Sequence, residues 1–151
     1  MREEVLRLSR EKLGADHPAT LNAMQNLAGS YRDAGRLEEA LGMEEEVLRL
    51  SREKLEPEHP ETVIAMGDLA CTLKGIGRVP EALALLRKVS VESLDFIPDV
   101  RFHLACYECL SGNLEEAKHL ITEEIAADPE KKDYALHHPD LTALRNFIQS
   151  L

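Results

Sequence analysis

Met1-Arg-Glu-Glu-Val-Leu-Arg-Leu-Ser-Arg-Glu-Lys-Leu13 returns almost unchanged as Met43-Glu-Glu-Glu-Val-Leu-Arg-Leu-Ser-Arg-Glu-Lys-Leu55. The correspondence continues through His17-Pro18 and His59-Pro60, then Asn26-Leu-Ala28 and Asp68-Leu-Ala70. It runs on through Gly35-Arg36 and Gly77-Arg78 to Glu39-Ala-Leu41 and Glu81-Ala-Leu83. Laying residues 1–41 on 43–83 gives 24 identities in a single register of 42 residues. A fixed period of this length marks a stack of supersecondary units, each burying its apolar face on its neighbours. Such stacks hold other molecules far more often than they catalyse reactions.

Apolar spacing and punctuation resolve each repeat into two helices. Pro18 suits the first turn of a helix, where its missing N–H costs nothing. Leu21, Met24, Leu27, Ala28 and Tyr31 then recur at steps of three and four, one inward stripe, and Ala34-Gly35 ends the helix. A second helix is expected from about Leu37 to Leu55, with Ala40, Leu41, Val47, Leu48 and Leu50 inward. Its outer face would carry Glu38, Glu39, Glu44, Glu45, Arg49, Arg52 and Glu53. The next unit predicts a helix from Pro60 to Lys74 and another from Pro80 to about Leu94. Leu69-Ala70 recurs at Leu104-Ala105, now 35 residues on. Gly112 and Glu116-Ala117 keep that shorter spacing, and the third unit closes on Asp128-Pro129. His138-Pro139 opens a further helix whose stripe is Leu141, Leu144, Phe147, Ile148 and Leu151.

The composition agrees with exposed helices packed by Leu, Ala and Val: 30% of the 151 residues are charged, 4% are aromatic and none is Trp. A net charge of −10 argues against a nucleic-acid or anionic-membrane partner, because phosphate binding needs a basic face. No apolar run approaches the roughly 20 residues that span a bilayer. The N-terminus reads as an amphipathic helix without a signal peptide's apolar core. Three cysteines, at 71, 106 and 109, make no disulfide framework, and a reducing, cytoplasmic setting is the expectation.

These residues resemble the tetratricopeptide repeat (TPR). The family pattern appears as Leu27-Ala28, Tyr31, Gly35 and Ala40, then Leu69-Ala70, Leu73, Gly77 and Ala82, then Leu104-Ala105, Gly112, Ala117 and Pro129. The 42-residue spacing with His17-Pro-Ala-Thr20 and His59-Pro-Glu-Thr62 is similar to the kinesin-light-chain type of repeat. The resemblance implies an all-α, right-handed superhelix (an α-solenoid) of antiparallel helix pairs with a C-terminal capping helix. It divides the chain into a half repeat over 1–14 (second helix only), repeats over 17–56, 59–95 and 98–129, and a cap over 138–151. The half repeat suggests the end piece of a longer array, or an open edge at Val5, Leu6, Leu8 and Leu13 through which copies associate; the alternative to a binding module is thus a structural or oligomerisation element, or a regulatory array of a larger multidomain protein.

The same resemblance implies a protein or peptide partner lying in a groove lined by the first helices of the repeats. Those positions are Asn22, Gln25, Asn26, Gly29, Arg32 and Asp33, then Ile64, Gly67, Asp68, Cys71 and Lys74, then Asp99, Phe102, His103, Cys106 and Cys109. Arg32 and Lys74 would form one wall, Asp68 and Asp99 the other. TPRs that clamp a chaperone's terminal carboxylate are similar to one another in a Lys, Asn, Asn, Lys, Arg set. Those places here hold Gln25, Gly29, Asp68, Asp99 and His103, so the three cations are missing and that ligand is excluded.

No catalytic constellation is legible. The serines lie outside any strand–turn–helix elbow, and no Gly-rich segment precedes a Lys-Ser or Lys-Thr. His17, His59 and His138 each precede a helix-starting Pro and read as capping residues. His103-x-x-Cys106-x-x-Cys109 offers soft ligands, but residues six apart sit about 240° around a helix and cannot face one metal. The cysteines, Cys71 included, read as small packing residues. No cofactor or metal is expected, and the runs Glu44–Glu46, Glu115-Glu116 and Glu123-Glu124 read as solvated outer faces.

Overall fold

The computed structural model describes residues 2–97 and 99–151; Met1 and Pro98, where the half repeat and the third repeat were expected to begin, lie outside the described residues. The described residues form ten α-helices and one 3-10 helix with no strand, an all-α solenoid. They divide into two compact units, Met1–Arg78 and Val79–Leu151.

The first unit contains α1 (Arg2–Leu13), α2 (Pro18–Asp33), α3 (Leu37–Lys54) and α4 (Pro60–Gly75). Each helix packs on the next, and α2 also touches α4. Ala28 of α2 and Ala40 of α3 have no solvent exposure. A methyl group at each place lets the paired helices approach closely, since interaxial distance follows side-chain size at the contact. Met24 and Val47, each 1% exposed, fill the space around them. Tyr31 is only half buried because its hydroxyl donates to Glu3 Oε1 at 2.8 Å, a tie from α2 to α1.

The turns follow from particular residues. Gly35 and Gly77 have φ of 77° and 84°, the left-handed region a glycine occupies at little cost. The chain then folds back, with Arg36 N–H on Tyr31 O and Arg78 N–H on Leu73 O, both at 2.8 Å, closing the open carbonyls of each helix end. At the other ends, His17 Nδ1 accepts the Ala19 N–H at 3.1 Å and His59 Nδ1 accepts the Glu61 N–H at 3.2 Å. The His-Pro pairs are N-caps, with Pro18 and Pro60 in the first turn.

The second unit contains α5 (Val79–Leu86), α6 (Val91–Phe96), α7 (Val100–Leu110), α8 (Leu114–Ala127) and α9 (Lys131–His137), then a 3-10 helix (Pro139–Leu144) and α10 (Arg145–Ser150). Helix α7 packs on α5, α6, α8 and the 3-10 helix. Ala105 of α7 and Ala117 of α8 again have no exposure. The single helix expected from Pro80 to about Leu94 is broken after Leu86. One period earlier α3 runs on through Leu48 and Leu50, but the matching residues here are Ser90 and Glu92. Ser90 loses the apolar contact that holds the helix and instead caps α6, its hydroxyl accepting the Ser93 N–H at 3.2 Å. Serine competes with a helix interior in this way because it bonds nearby backbone.

The C-terminal segment also departs from expectation. Residues 138–151 form a 3-10 helix followed by α10 rather than one helix, and α9 precedes them. His138 Nδ1 caps the 3-10 helix through the Asp140 N–H at 3.3 Å. Leu141, Leu144 and Ile148 are buried, while Leu151 is exposed.

Replacing His17 or His59 by Ala is expected to cost about 0.5–2 kcal/mol each, and replacing either by Asn much less, because Asn is itself a good N-cap. Urea denaturation of the four variants measures this; equal losses for Ala and Asn would show that the ring acts by packing instead.

Candidate functional site

The groove positions expected in the first unit fall on α2 and α4, two helices that touch. Asn22 and Asn26 are exposed one turn apart on α2, with Gln25 half buried between them. On α4, Ile64 is 45% exposed, and Asp68, Cys71 and Lys74 follow half buried at steps of four and three. An amide both donates and accepts, so Asn22 and Asn26 suit the main chain of an extended peptide.

Arg32 and Asp68 do not face one another across a groove, as the charge pattern suggested; they are partners. Arg32 Nη2 lies 3.5 Å from Asp68 Oδ1, and its Nη1 donates to the Asp68 carbonyl at 3.2 Å and to Glu44 Oε1 at 2.9 Å. Glu44 is therefore not on a solvated outer face: it is 3% exposed. One and two repeats on, the same position holds Leu86 and Ile121, neither exposed at all. A carboxylate thus occupies a core position, and its Oε2 is buried without a well-formed hydrogen bond.

In the second unit the expected residues separate. Phe102 and Cys106 are 3% and 1% exposed, so neither offers its side chain to a ligand at the surface. Their helix turns them inward, Phe102 against Tyr134 and His138 with ring centroids 5.2 and 5.3 Å away. Asp99 precedes α7 with φ of 69° and accepts from Lys131 Nζ at 3.1 Å. His103 is half buried and stacks on Tyr107, centroids 6.2 Å apart. Cys109 is buried, and burial together with the Asp140 charge pushes its thiol up.

Several buried charges escaped the sequence reading. Glu108, 2% exposed, receives Arg87 through both carboxylate oxygens and the Asn113 amide, all at 2.7 Å. Burial alone would raise its pKa, but Arg87 and Asn113 more than offset that and hold it below the usual 4.5. Arg101 is buried with Asp95, Glu123 and Glu124 about it. Glu124, expected on an outer face, is 6% exposed and also meets Lys131. A cleft of ≈ 560 Å³ opens beside Arg87 and Glu108, floored by Val89, Leu94, Leu104 and Leu120. It lies beside the segment between α5 and α6, where the expected helix is broken.

Burial pushes Glu44 up to about 7 from the usual 4.5, against the pull of the Thr72 hydroxyl and the Arg32 charge, with the Asp68 charge adding to the rise. Between those two pH values the unfolded chain has lost this proton while the folded chain keeps it. The unfolded state then binds fewer protons, so stability falls as pH rises through the window and stays low above it. The full loss is on the order of 3 kcal/mol. Glu44→Gln is expected to remove this fall, gaining stability over the native chain at pH 8 but not at pH 4.5. Denaturant titrations at the two pH values test it; an unchanged pH slope would refute the buried-proton account.

Three comparisons with known proteins bear on this arrangement. Residues 20–61 match the family model of the tetratricopeptide repeat. No curated protein matches the chain. Among solved structures, it is similar to the nearly identical TPR-like repeats of a putative kinesin light chain from Podosopora anserina. Identity there is 25%, with TM-score 0.73, over 94% of this chain and 70% of that one. A glutamine-to-methionine variant of those repeats matches at 25% identity and TM-score 0.74, over 94% and 69% of the two chains. TPR folds are in general protein-interaction scaffolds and typically carry no catalytic activity of their own. No helix among the described residues is long and apolar enough to cross a membrane. The His-Pro caps, the alanine contacts, the matched repeat and the shared fold agree: the chain carries a tetratricopeptide repeat over residues 20–61 and is similar in fold to kinesin-light-chain-type repeats.

Proposed function

We propose that the chain holds a peptide segment of a protein partner on the face shared by α2 and α4. The observation that supports this reading is the exposed set Asn22, Asn26 and Ile64. The two amides can satisfy both a donor and an acceptor of an extended main chain, and Ile64 can receive an apolar side chain. Arg32, Asp68 and Glu44 form an ion cluster beneath that face, which fixes α2 against α4 and leaves little net charge to recruit a purely ionic ligand. The partner segment is therefore one with alternating polar and apolar groups rather than a terminal carboxylate.

The triple variant Asn22→Ala/Asn26→Ala/Ile64→Asp changes only exposed positions and is expected to keep the native helical spectrum. Affinity capture with the native chain and the variant, followed by titration of the captured partner, tests the reading. Binding weakened at least tenfold in the folded variant is the expected result; a partner held equally by both would move the interaction away from this face.

A second reading, self-association through α1, has its own observation. Val5 and Leu8 are 50% and 37% exposed, whereas their repeat counterparts Val47 and Leu50 are 1% and 6% exposed. The same side chains are thus dry one repeat on and wet in α1, and a second copy of the chain would cover them. Sedimentation velocity over a range of concentrations is expected to show a dimer that Val5→Glu/Leu8→Glu abolishes. A monomer at every concentration would dismiss this reading.

A further inference from the structure

One cluster in the second unit has the donor types and close spacing of a metal centre. Cys106 of α7, His138 before the 3-10 helix and Asp140 in its first turn bring one ligand atom each within 4.8 Å of one another. Cys106 Sγ lies 3.8 Å from His138 Nδ1. We propose that these three side chains bind a divalent ion of the zinc class, which pins the C-terminal 3-10 segment to α7.

The geometry is close to what such an ion needs. Zinc bonds sulfur at about 2.3 Å, imidazole nitrogen at about 2.0–2.1 Å and carboxylate oxygen at about 2.0–2.2 Å, so tetrahedral donors stand roughly 3.3–3.6 Å apart. The sulfur–nitrogen pair needs to close by only a few tenths of an ångström, and an Asp140 carboxylate oxygen lies within 4.8 Å of both. The donor set selects the ion: a thiolate and an imidazole disfavour magnesium and calcium, which prefer all-oxygen shells. One thiolate and one carboxylate also neutralise a dipositive charge, which matters where Cys106 is 1% exposed.

The surroundings orient the imidazole. Phe102 and Tyr134 meet the His138 ring edge to face, at centroid distances of 5.3 and 5.4 Å, and such outer contacts tune a ligand as much as the first bonds do. Binding at Nδ1 displaces the Asp140 N–H, whose hydrogen bond of 3.3 Å is the longest of the three histidine caps. His17-Pro-Ala and His59-Pro-Glu have the same cap, yet among the described residues only the third His-Pro joins a group of three ligand side chains. The buried sulfur gives a substrate no approach, so this is a binding centre and not a nucleophile with its base. Three protein ligands leave the fourth position to water.

Cobalt(II) is the direct probe. Titrating the reduced full chain with cobalt(II) is expected to give one equivalent bound, a sulfur-to-cobalt charge-transfer band and the visible bands of a tetrahedral ion, all displaced by zinc(II). Cys106→Ser should abolish the charge-transfer band. His138→Asn, which keeps an N-cap, and Asp140→Asn should each weaken binding at least tenfold. Cys71→Ser and Cys109→Ser should leave it unchanged, and circular dichroism shows whether each variant is folded. Zinc(II) should raise the Tm of the native chain and not of Cys106→Ser. Absence of saturable one-to-one binding by the native chain, or an undiminished band in folded Cys106→Ser, overturns the proposal.

Discussion

Within each unit the fold depends on how closely two helices of a pair can approach, and that distance is set by methyl groups. Ala28 and Ala40 on α2 and α3, and Ala105 and Ala117 on α7 and α8, are wholly excluded from solvent. Anything larger would force the helix axes apart and open voids around Met24, Val47 and Ile121, which are packed at or near zero exposure. Interiors at crystal-like density have no slack to absorb such a change. The glycine turns and histidine caps serve the same end, because a pair meets in register only if both helices start and stop at fixed places.

Around that apolar frame, buried charge makes one repeat differ from the next. Glu44, Glu108 and Glu124 are all nearly inaccessible, yet their environments diverge. Glu108 has two donors in bidentate geometry plus an amide and stays ionised with ease. Glu44 has one arginine, itself shared with Asp68, and an oxygen without a good partner. A buried carboxylate with incomplete hydrogen bonding costs stability where a leucine would add it. Leu86 and Ile121 at the matching places show that the backbone does not require an acid there. Glu44 instead links α2, α3 and α4 through Arg32 at the underside of the proposed peptide face, a cost accepted for position.

The C-terminal segment uses the repeat's own parts differently. A His-Pro cap that elsewhere only starts a helix here precedes a 3-10 turn, and its imidazole sits among Phe102, Tyr134, Cys106 and Asp140. Aromatic packing removes Phe102 from the surface where family position had put it, and builds the pocket that holds His138. The same burial that takes Cys106 away from a peptide groove brings its sulfur to a nitrogen and a carboxylate.

The repeat period, the helix pairs, their glycine stops and the His-Pro starts were all legible in the sequence, because each rests on local chemistry that a single helix end or stripe expresses by itself. Reading along one helix also offered His103 and Cys109 as companions for Cys106, but their angular spacing points them apart. The side chains that come within 4.8 Å of its sulfur, His138 and Asp140, lie 32 and 34 residues further on, across a turn whose path no local pattern specifies. Likewise the stripe of α3 looked complete without Glu44, since a charged residue beside a leucine reads as exposed until a neighbouring helix covers it. Ser90 carried a readable signal, a cap residue in place of Leu48, but the continuing apolar rhythm outweighed it. Sequence alone thus determined the repeat period and the bounds of α2, α3 and α4, but not the break after Leu86 or the division of residues 138–151. Only the tertiary structure decided which charges are buried and which distant side chains meet, because those depend on the neighbour each helix packs against.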